Sequence, residues 1–181
     1  MLPPKGQIEF ILRVVPDAKS IGIVYNPAEA NSVSIVENMQ KLLPEYGLTV
    51  FTAAAPRTVD VGSAARSLAG KVDVFYATTD NNVVSAIEAL IRVGEETQTP
   101  VIASDPPSAA RGAVAVLGVD FKKLGNQTGE IVLRIFNGEN PGDIAPQTQE
   151  TLQLNLNLKA AGRQGVTFSE DLLADADVII E

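Results

Sequence analysis

Tyr76-Ala77-Thr78-Thr79-Asp80-Asn81-Asn82 joins two segments of opposite character. Before it stands the apolar run Val72 to Ala77. After it, Val83, Val84, Ile87, Leu90 and Ile91 recur at the spacing of an amphipathic helix that reaches about Glu96. A strand that ends in hydroxyls, a carboxylate and amides just before a helix belongs at the carboxyl edge of a parallel sheet. Open α/β folds bind ligands at that edge, where helix N–H groups are free. This stretch therefore sets the fold class and the place to look for function.

The same alternation continues on both sides. Toward the N-terminus, Thr58 to Leu68 reads as a helix, Leu48 to Ala53 as a strand, and Asn31 or Ser32 as the cap of a helix running to about Tyr46 and ended by Gly47. Val33, Val36, Met39, Leu42 and Leu43 form the apolar stripe of that helix. Ser20 to Tyr25 is a β-rich run of the kind buried on both faces of a parallel sheet, stopped by Asn26-Pro27. Ile8, Ile11, Leu12 and Val15 place a helix over Gln7 to Val15. Toward the C-terminus, Pro100 to Ala103 and Ala113 to Val119 read as strands and Leu124 to Phe136 as a helix ended by Gly138. A loop is expected over 140–149. Leu152, Leu154, Leu156 and Leu158 alternate with polar residues and predict a half-exposed edge strand, followed by a short helix that starts at Ser169. Strand, helix, strand repeats with short connections give a parallel sheet with right-handed crossovers: a three-layer, flavodoxin-like α/β fold.

Composition narrows the function. The 181 residues carry 45% apolar and 20% charged side chains, the balance of an ordinary globular domain. A net charge of −8 opposes binding to nucleic acid or an anionic membrane. With no cysteine and no histidine, disulfides, thiolate nucleophiles, histidine-based triads and the usual zinc sites are excluded within these residues. No cofactor is implied. No stretch approaches the length of a membrane span, and the first residues lack a basic region and a cleavage site.

Three strands end in polar, loop-forming residues: Tyr25-Asn26-Pro27, Thr78-Thr79-Asp80-Asn81 and Ser104-Asp105-Pro106. In a parallel sheet all three share one edge and make a wall of hydroxyls, amides and carboxylates. Helix N-termini at Asn31/Ser32 and Asn81/Asn82 offer N–H groups to an anionic group. No G-x-G-x-x-G follows the first strand, where residues 25–30 stand, and there is no Walker A sequence and no G-x-S-x-G elbow. Asp80 and Asp105 as an acid/base pair or a magnesium site make the one catalytic alternative.

The segments Val15-Pro16-Asp17-Ala18-Lys19, residues 21–32 (IGIVYNPAEANS), 68–73 (LAGKVD), Thr78-Thr79-Asp80-Asn81, Ala103-Ser104-Asp105, 111–118 (RGAVAVLG), 124–129 (LGNQTG) and 156–161 (LNLKAA) carry a resemblance along nearly the whole chain, to the closing Leu172 to Ile180. Together they resemble the ABC-transporter substrate-binding protein family typified by tryptophan/tyrosine-binding lipoproteins. The resemblance implies a type I periplasmic-binding-protein fold, two lobes closing on a small solute, often an aromatic amino acid, which is handed to a membrane permease. It also implies a location outside the cytoplasmic membrane; a cytoplasmic one is expected if Met1 is an initiator. Family members carry an N-terminal lobe and a leader ahead of the helix corresponding to Gln7–Val15. The present residues resemble the second lobe plus its crossover segments: core units over 1–112, a strand and helix that cross to the other lobe over 113–138, and a C-terminal loop, edge strand and helix over 139–181.

Carried over residue by residue, the resemblance places the ligand wall at Tyr25, Asn26, Glu29, Ala30, Asn31 and Ser32, then Thr79, Asp80 and Asn81, then Asp105. It gives a ligand carboxylate to Asn31 and Ser32 and a ligand ammonium to Asp80 or Asp105. Binding of an amino-acid-like solute by one lobe is the leading expectation. The alternative is a module without ligand that forms a homodimer, through its exposed cleft face or by exchange of 113–138, because the apolar faces of that segment must fold back on the sheet or be buried by another subunit.

Overall fold

The structure is a computed structural model that describes residues 4–147 and 152–181. Its sheet has seven strands: β1 (Ser20–Tyr25), β2 (Thr49–Ala54), β3 (Val74–Ala77), β4 (Val101–Ala103), β5 (Ala115–Val119), β6 (Leu152–Asn157) and β7 (Val178–Ile180). Their order is β2-β1-β3-β4-β5-β6-β7. β1 to β5 run parallel, β6 is antiparallel to β5, and β7 is parallel to β6. The helices are α1 (Pro4–Val14), α2 (Ala30–Leu42), α3 (Val61–Leu68), α4 (Asn81–Ser85), α5 (Ile87–Thr97), α6 (Phe121–Phe136), α7 (Leu158–Arg163) and α8 (Glu170–Ala174).

Side-chain alternation sorts the strands onto two cores. Ile21, Ile23, Val74, Tyr76 and Ile102 face one layer with Ile8 and Ile11 of α1 and Ile35, Val36 and Met39 of α2. Val24, Phe75, Ala77, Val101 and Ala103 face the other with Ala65 of α3 and Ile87 and Leu90 of α5. Each fully buried aliphatic side chain contributes on the order of 1.5–3 kcal/mol, and both layers are continuous, so the central strands are the rigid part of the molecule.

The expected elements are present, with physical reasons for the shifts. The helix after β1 starts at Ala30 with Glu29 in the cap position, and its regular part ends at Leu42 in a tighter turn, Leu43–Tyr46, closed by Gly47 at φ 70°. Its buried stripe is Ser32, Ile35, Val36 and Met39, a slightly different face from the expected one. The helix after β3 breaks at Ala86 into α4 and α5. The helix after β5 starts at Phe121, earlier than expected, because the Asp120 carboxylate accepts from the Lys122 and Lys123 amides at 3.0 Å each. The loop expected over 140–149 is described as far as Gln147; 148 and 149 lie outside the described residues.

The strand at 152–157 is not an edge. Leu154, Asn155, Leu156 and Asn157 are buried, because the Val178–Ile180 segment adds β7 beyond it. The polar alternation that suggested solvent is used internally: Asn157 donates to the Ala109 carbonyl at 2.8 Å and caps α7 by accepting from Ala160 at 2.8 Å. Residues 115–119 enter the sheet as β5, whereas α6 has no buried residue and leaves Phe121, Leu133 and Phe136 largely exposed. The apolar segment expected to fold back does so in its strand half only.

Candidate functional site

The carboxyl edges of β1, β3 and β4 are adjacent, as the parallel order requires, and their polar ends meet. Asp80 is fully buried. Its Oδ2 accepts from the Asn26 amide at 2.7 Å, and its Oδ1 accepts from the Asn82 and Val83 amides at 3.0 and 3.1 Å. One carboxylate thus caps α4 and ties it to the end of β1. Three backbone donors occupy most of its accepting capacity, so it has little left for a solute ammonium.

Glu29 repeats the pattern at the surface. Its carboxylate accepts from the Asn81 amide at 3.1 Å, from Asn81 Nδ2 at 2.9 Å and from Asn31 Nδ2 at 2.9 Å. A side-chain carboxylate of the chain itself therefore lies at the start of α4. Asn26 folds on itself, its Oδ1 accepting from the Ala28 amide at 3.0 Å, and Tyr25 packs against the core. Asp105 is half-buried and accepts from Ser108 Oγ at 3.0 Å. Ala30 and Asn31 are exposed at the first turn of α2, which has no side-chain cap; Ser32 is buried there, its hydroxyl without a partner among the described residues, as is the buried Thr78 hydroxyl.

An open volume lies further along the same edge. A cavity of about 190 Å³ lies over the ends of β3, β4 and β5, with Phe121 at the start of α6 among its lining residues. Ile35, Leu117, Val119, Phe121 and Leu152 make its apolar wall; Gln7, Tyr76, Thr79 and Ser104 supply the polar groups. Burial keeps the Tyr76 hydroxyl protonated by pushing its pKa far up, an effect the Ser104 hydroxyl only partly offsets. The cavity therefore offers neutral hydroxyls and amides within an apolar surface and no charged side chain. That chemistry accepts an uncharged ring or aliphatic group and rejects an ion. Its volume is below the roughly 300–1,000 Å³ of a complete small-molecule site.

Gly118 makes the wall possible. A Cβ there would overlap the Ser104 carbonyl oxygen and stand 2.7 Å from Pro106 Cδ, so β5 can lie this close to the end of β4 only without a side chain. Across β5 lies a shallower groove of about 440 Å³, bordered by Pro106, Asp120, Lys122, Gln153 and Asn155 and sharing Val119 and Phe121 with the cavity.

Of the residues expected at the site, only Thr79 lines the cavity. Tyr25, Asn26, Glu29, Ala30, Asn31, Ser32, Asp80 and Asn81 cluster at the β1 side, and Asp105 follows Ser104 at the end of β4. The sequence reading looked for polar strand ends and passed over Tyr76 and Leu117, which it placed inside strands, and Phe121, which it gave to no element. Gly118 inside a strand and Asp120 ahead of an amphipathic run were the available signals. Among the described residues, no group of three or more His, Cys, Asp or Glu side chains could hold a metal ion, and no helix is long and apolar enough to cross a membrane.

Comparison with known proteins adds three relatives. A family model described as ABC transporter substrate binding protein matches residues 1–180. A tyrosine-binding protein of Clostridioides difficile (strain R20291) is 34% identical over 160 residues, 87% of this chain and 46% of its own length. Among solved structures, a conserved domain protein from Vibrio cholerae superposes with a TM-score of 0.89 at 38% identity, covering 98% of this chain and 60% of that one. An ABC domain from Streptococcus pneumoniae in complex with L-Trp gives 0.86 at 29% identity, with the same coverage of both chains. The chain spans about half the length of the curated relatives it matches.

Proposed function

The chain belongs to the ABC transporter substrate-binding protein family, and from that premise we propose that it forms one wall of a solute cleft that takes an amino acid with an apolar, preferably aromatic, side chain. The observation that carries this reading is the cavity under Phe121, apolar on its walls and lined by neutral polar groups. The tyrosine-binding relative and the L-Trp complex support the same ligand class.

In this reading the ring enters between Leu117, Phe121 and Tyr76. The carboxylate turns toward the uncapped first turn of α2 at Asn31 and Ser32, where free N–H groups and the helix dipole favour an anion. Asp105 meets the ammonium, since Asp80 is taken up by backbone donors. β5 stays in this sheet while α6 reaches a second lobe and lays its apolar face on it, and the closed pair presents the solute to a permease outside the cytoplasmic membrane. The role is binding without catalysis.

A module that dimerises without ligand is the second reading, and the observation favouring it is that α6 has no buried residue. The chain contains no tryptophan, so the fluorescence of added L-tryptophan is free of protein background. The binding reading expects a saturable blue shift and rise in anisotropy as chain is added, at millimolar rather than micromolar affinity because one wall encloses only part of the solute. No change for L-tryptophan, L-tyrosine or L-leucine up to about 10 mM leaves the dimerising module as the better account.

A further inference from the structure

The two edges of the sheet are built differently. β7 is short, and Asp177 and Glu181 flank it. Pairing it antiparallel with a second copy would bring carboxylates together at both ends, which protects the edge. β2 has no such protection. Its six residues, Thr49-Val50-Phe51-Thr52-Ala53-Ala54, include no charge, proline or glycine, and in the sheet order it pairs only with β1. Phe51 is 37% exposed.

The register of β1 and β2 decides which groups are free. The Thr49 amide donates to the Lys19 carbonyl at 2.8 Å and the Ala55 amide to the Tyr25 carbonyl at 2.7 Å. In a parallel ladder the N–H and C=O of one residue point the same way and alternate along the strand. Odd-numbered residues of β2 therefore face β1, and Val50, Thr52 and Ala54 turn both backbone groups outward.

These outward residues are self-complementary. In an antiparallel pair of two copies centred on Thr52, Thr52 faces Thr52 of the second copy, and Val50 faces Ala54, each pair exchanging both hydrogen bonds. Phe51 then lies opposite Ala53, a ring over a small side chain on the face carrying Val24, and the paired threonines make a favourable cross-strand contact. The ends do not repel: Glu45 precedes the strand and the Arg57–Asp60 ion pair, closed by two bonds of 2.8 and 2.7 Å, follows it, so antiparallel pairing sets Glu45 of each copy at the end that carries the neutralised pair of the other.

We infer that β2 is a docking edge for a second copy of this chain, and that two sheets join there into one continuous sheet about a two-fold axis. The interface is remote from α6 and from the cavity, and it does not rest on the solute-binding reading.

Sedimentation equilibrium of the intact chain, from about 5 to 500 µM, is the direct test. The expected result is a monomer-dimer equilibrium about the monomer mass of 19.1 kDa. Thr52→Pro removes an outward donor that β1 does not use, which an edge strand tolerates. It is expected to give a monomer with unchanged circular dichroism, as is Phe51→Lys, which keeps the measurement available should the proline variant not fold. In wild type, the amides of Val50, Thr52 and Ala54 should gain hydrogen-exchange protection of about tenfold or more between dilute and concentrated samples. A chain that stays monomeric at all concentrations overturns the inference. So does a dimer that survives both β2 variants, or one lost instead in Phe136→Glu on α6.

Discussion

The carboxyl edge of the sheet has two ends that began with the same kind of sequence and came to opposite uses. At the β1 side, Asp80 and Glu29 accept from the chain's own amides and side chains, and little is left over for a ligand. At the β5 side, hydroxyls of Thr79 and Ser104 border a cavity that the chain leaves open. The lesson is about satisfaction. A polar strand end is a binding site only where the backbone has not already used it, and a buried carboxylate among free N–H groups is used first.

The comparison can be broken by mutation at either end. The largest effect is expected at Asp80→Ala, which orphans three amide donors; a loss of about 3–5 kcal/mol of unfolding free energy, measured by urea denaturation, should come with little change in solute affinity for the protein that remains folded. An affinity loss without a stability loss would reverse the assignment. Gly118→Ala tests the other end: overpacking against Ser104 and Pro106 should cost about 1–3 kcal/mol and, by pushing β5 off the end of β4, displace the Leu117 wall of the cavity, so stability and binding fall together. Phe121→Ala should leave stability within about 0.5 kcal/mol because the ring is largely exposed, while weakening binding of L-tryptophan about tenfold, read by the tryptophan titration.

The smallest effect concerns pH. Asp73, at the opposite edge, accepts from Ser20 Oγ at 2.7 Å and from the Lys19 and Ser20 amides at 2.8 Å each. The Ser20 hydroxyl and the Lys19 amide hold its pKa below the usual carboxylate range, more than the desolvation that opposes them. A carboxylate with a depressed folded-state pKa stabilises above its unfolded value and loses that contribution as pH falls through the folded value. Because Asp73 is exposed, solvent screening discounts the contact, and Asp73→Asn should lower the melting temperature by only about 1–2 °C, for a loss of about 0.5 kcal/mol, at pH 7 and by less near pH 2. An equal loss at both values would mean that the contact does not depend on charge.

The fold was legible because periodicity records it. Apolar runs such as 20–25 and 74–77 are buried on both faces, and the strands that follow them fall at the expected spacing. What was not legible depended on partners distant in sequence. The 152–157 strand reads as an edge until Val178–Ile180 lies beside it. By periodicity alone α6 reads as an ordinary amphipathic helix; the resemblance raised the question of what covers its stripe, and the tertiary structure leaves it without cover among the described residues. At the candidate site, Asn26, Asp80 and Asn81 were picked for their chemistry; what the sequence could not supply was that Asn26 and Asp80 bond to each other. Leu117 and Phe121 were passed over because an apolar wall has the same pattern as an apolar core.

The central claim is that the side chain of the solute binds at the β5 side of the edge, only its carboxylate reaching toward Asn31 and Ser32. Backbone amide shifts of the isotope-labelled chain, recorded as L-tryptophan is added, test it most directly, since weak binding still moves resonances. The account predicts that the largest shifts fall on Thr79, Ser104, Leu117, Gly118 and Phe121, with smaller ones at Asn31, Ser32 and Asp105 and with Asp80 and Asn82 nearly unmoved. Shifts centred on Asn26, Asp80 and Asn81, with Leu117 and Phe121 unchanged, would contradict it.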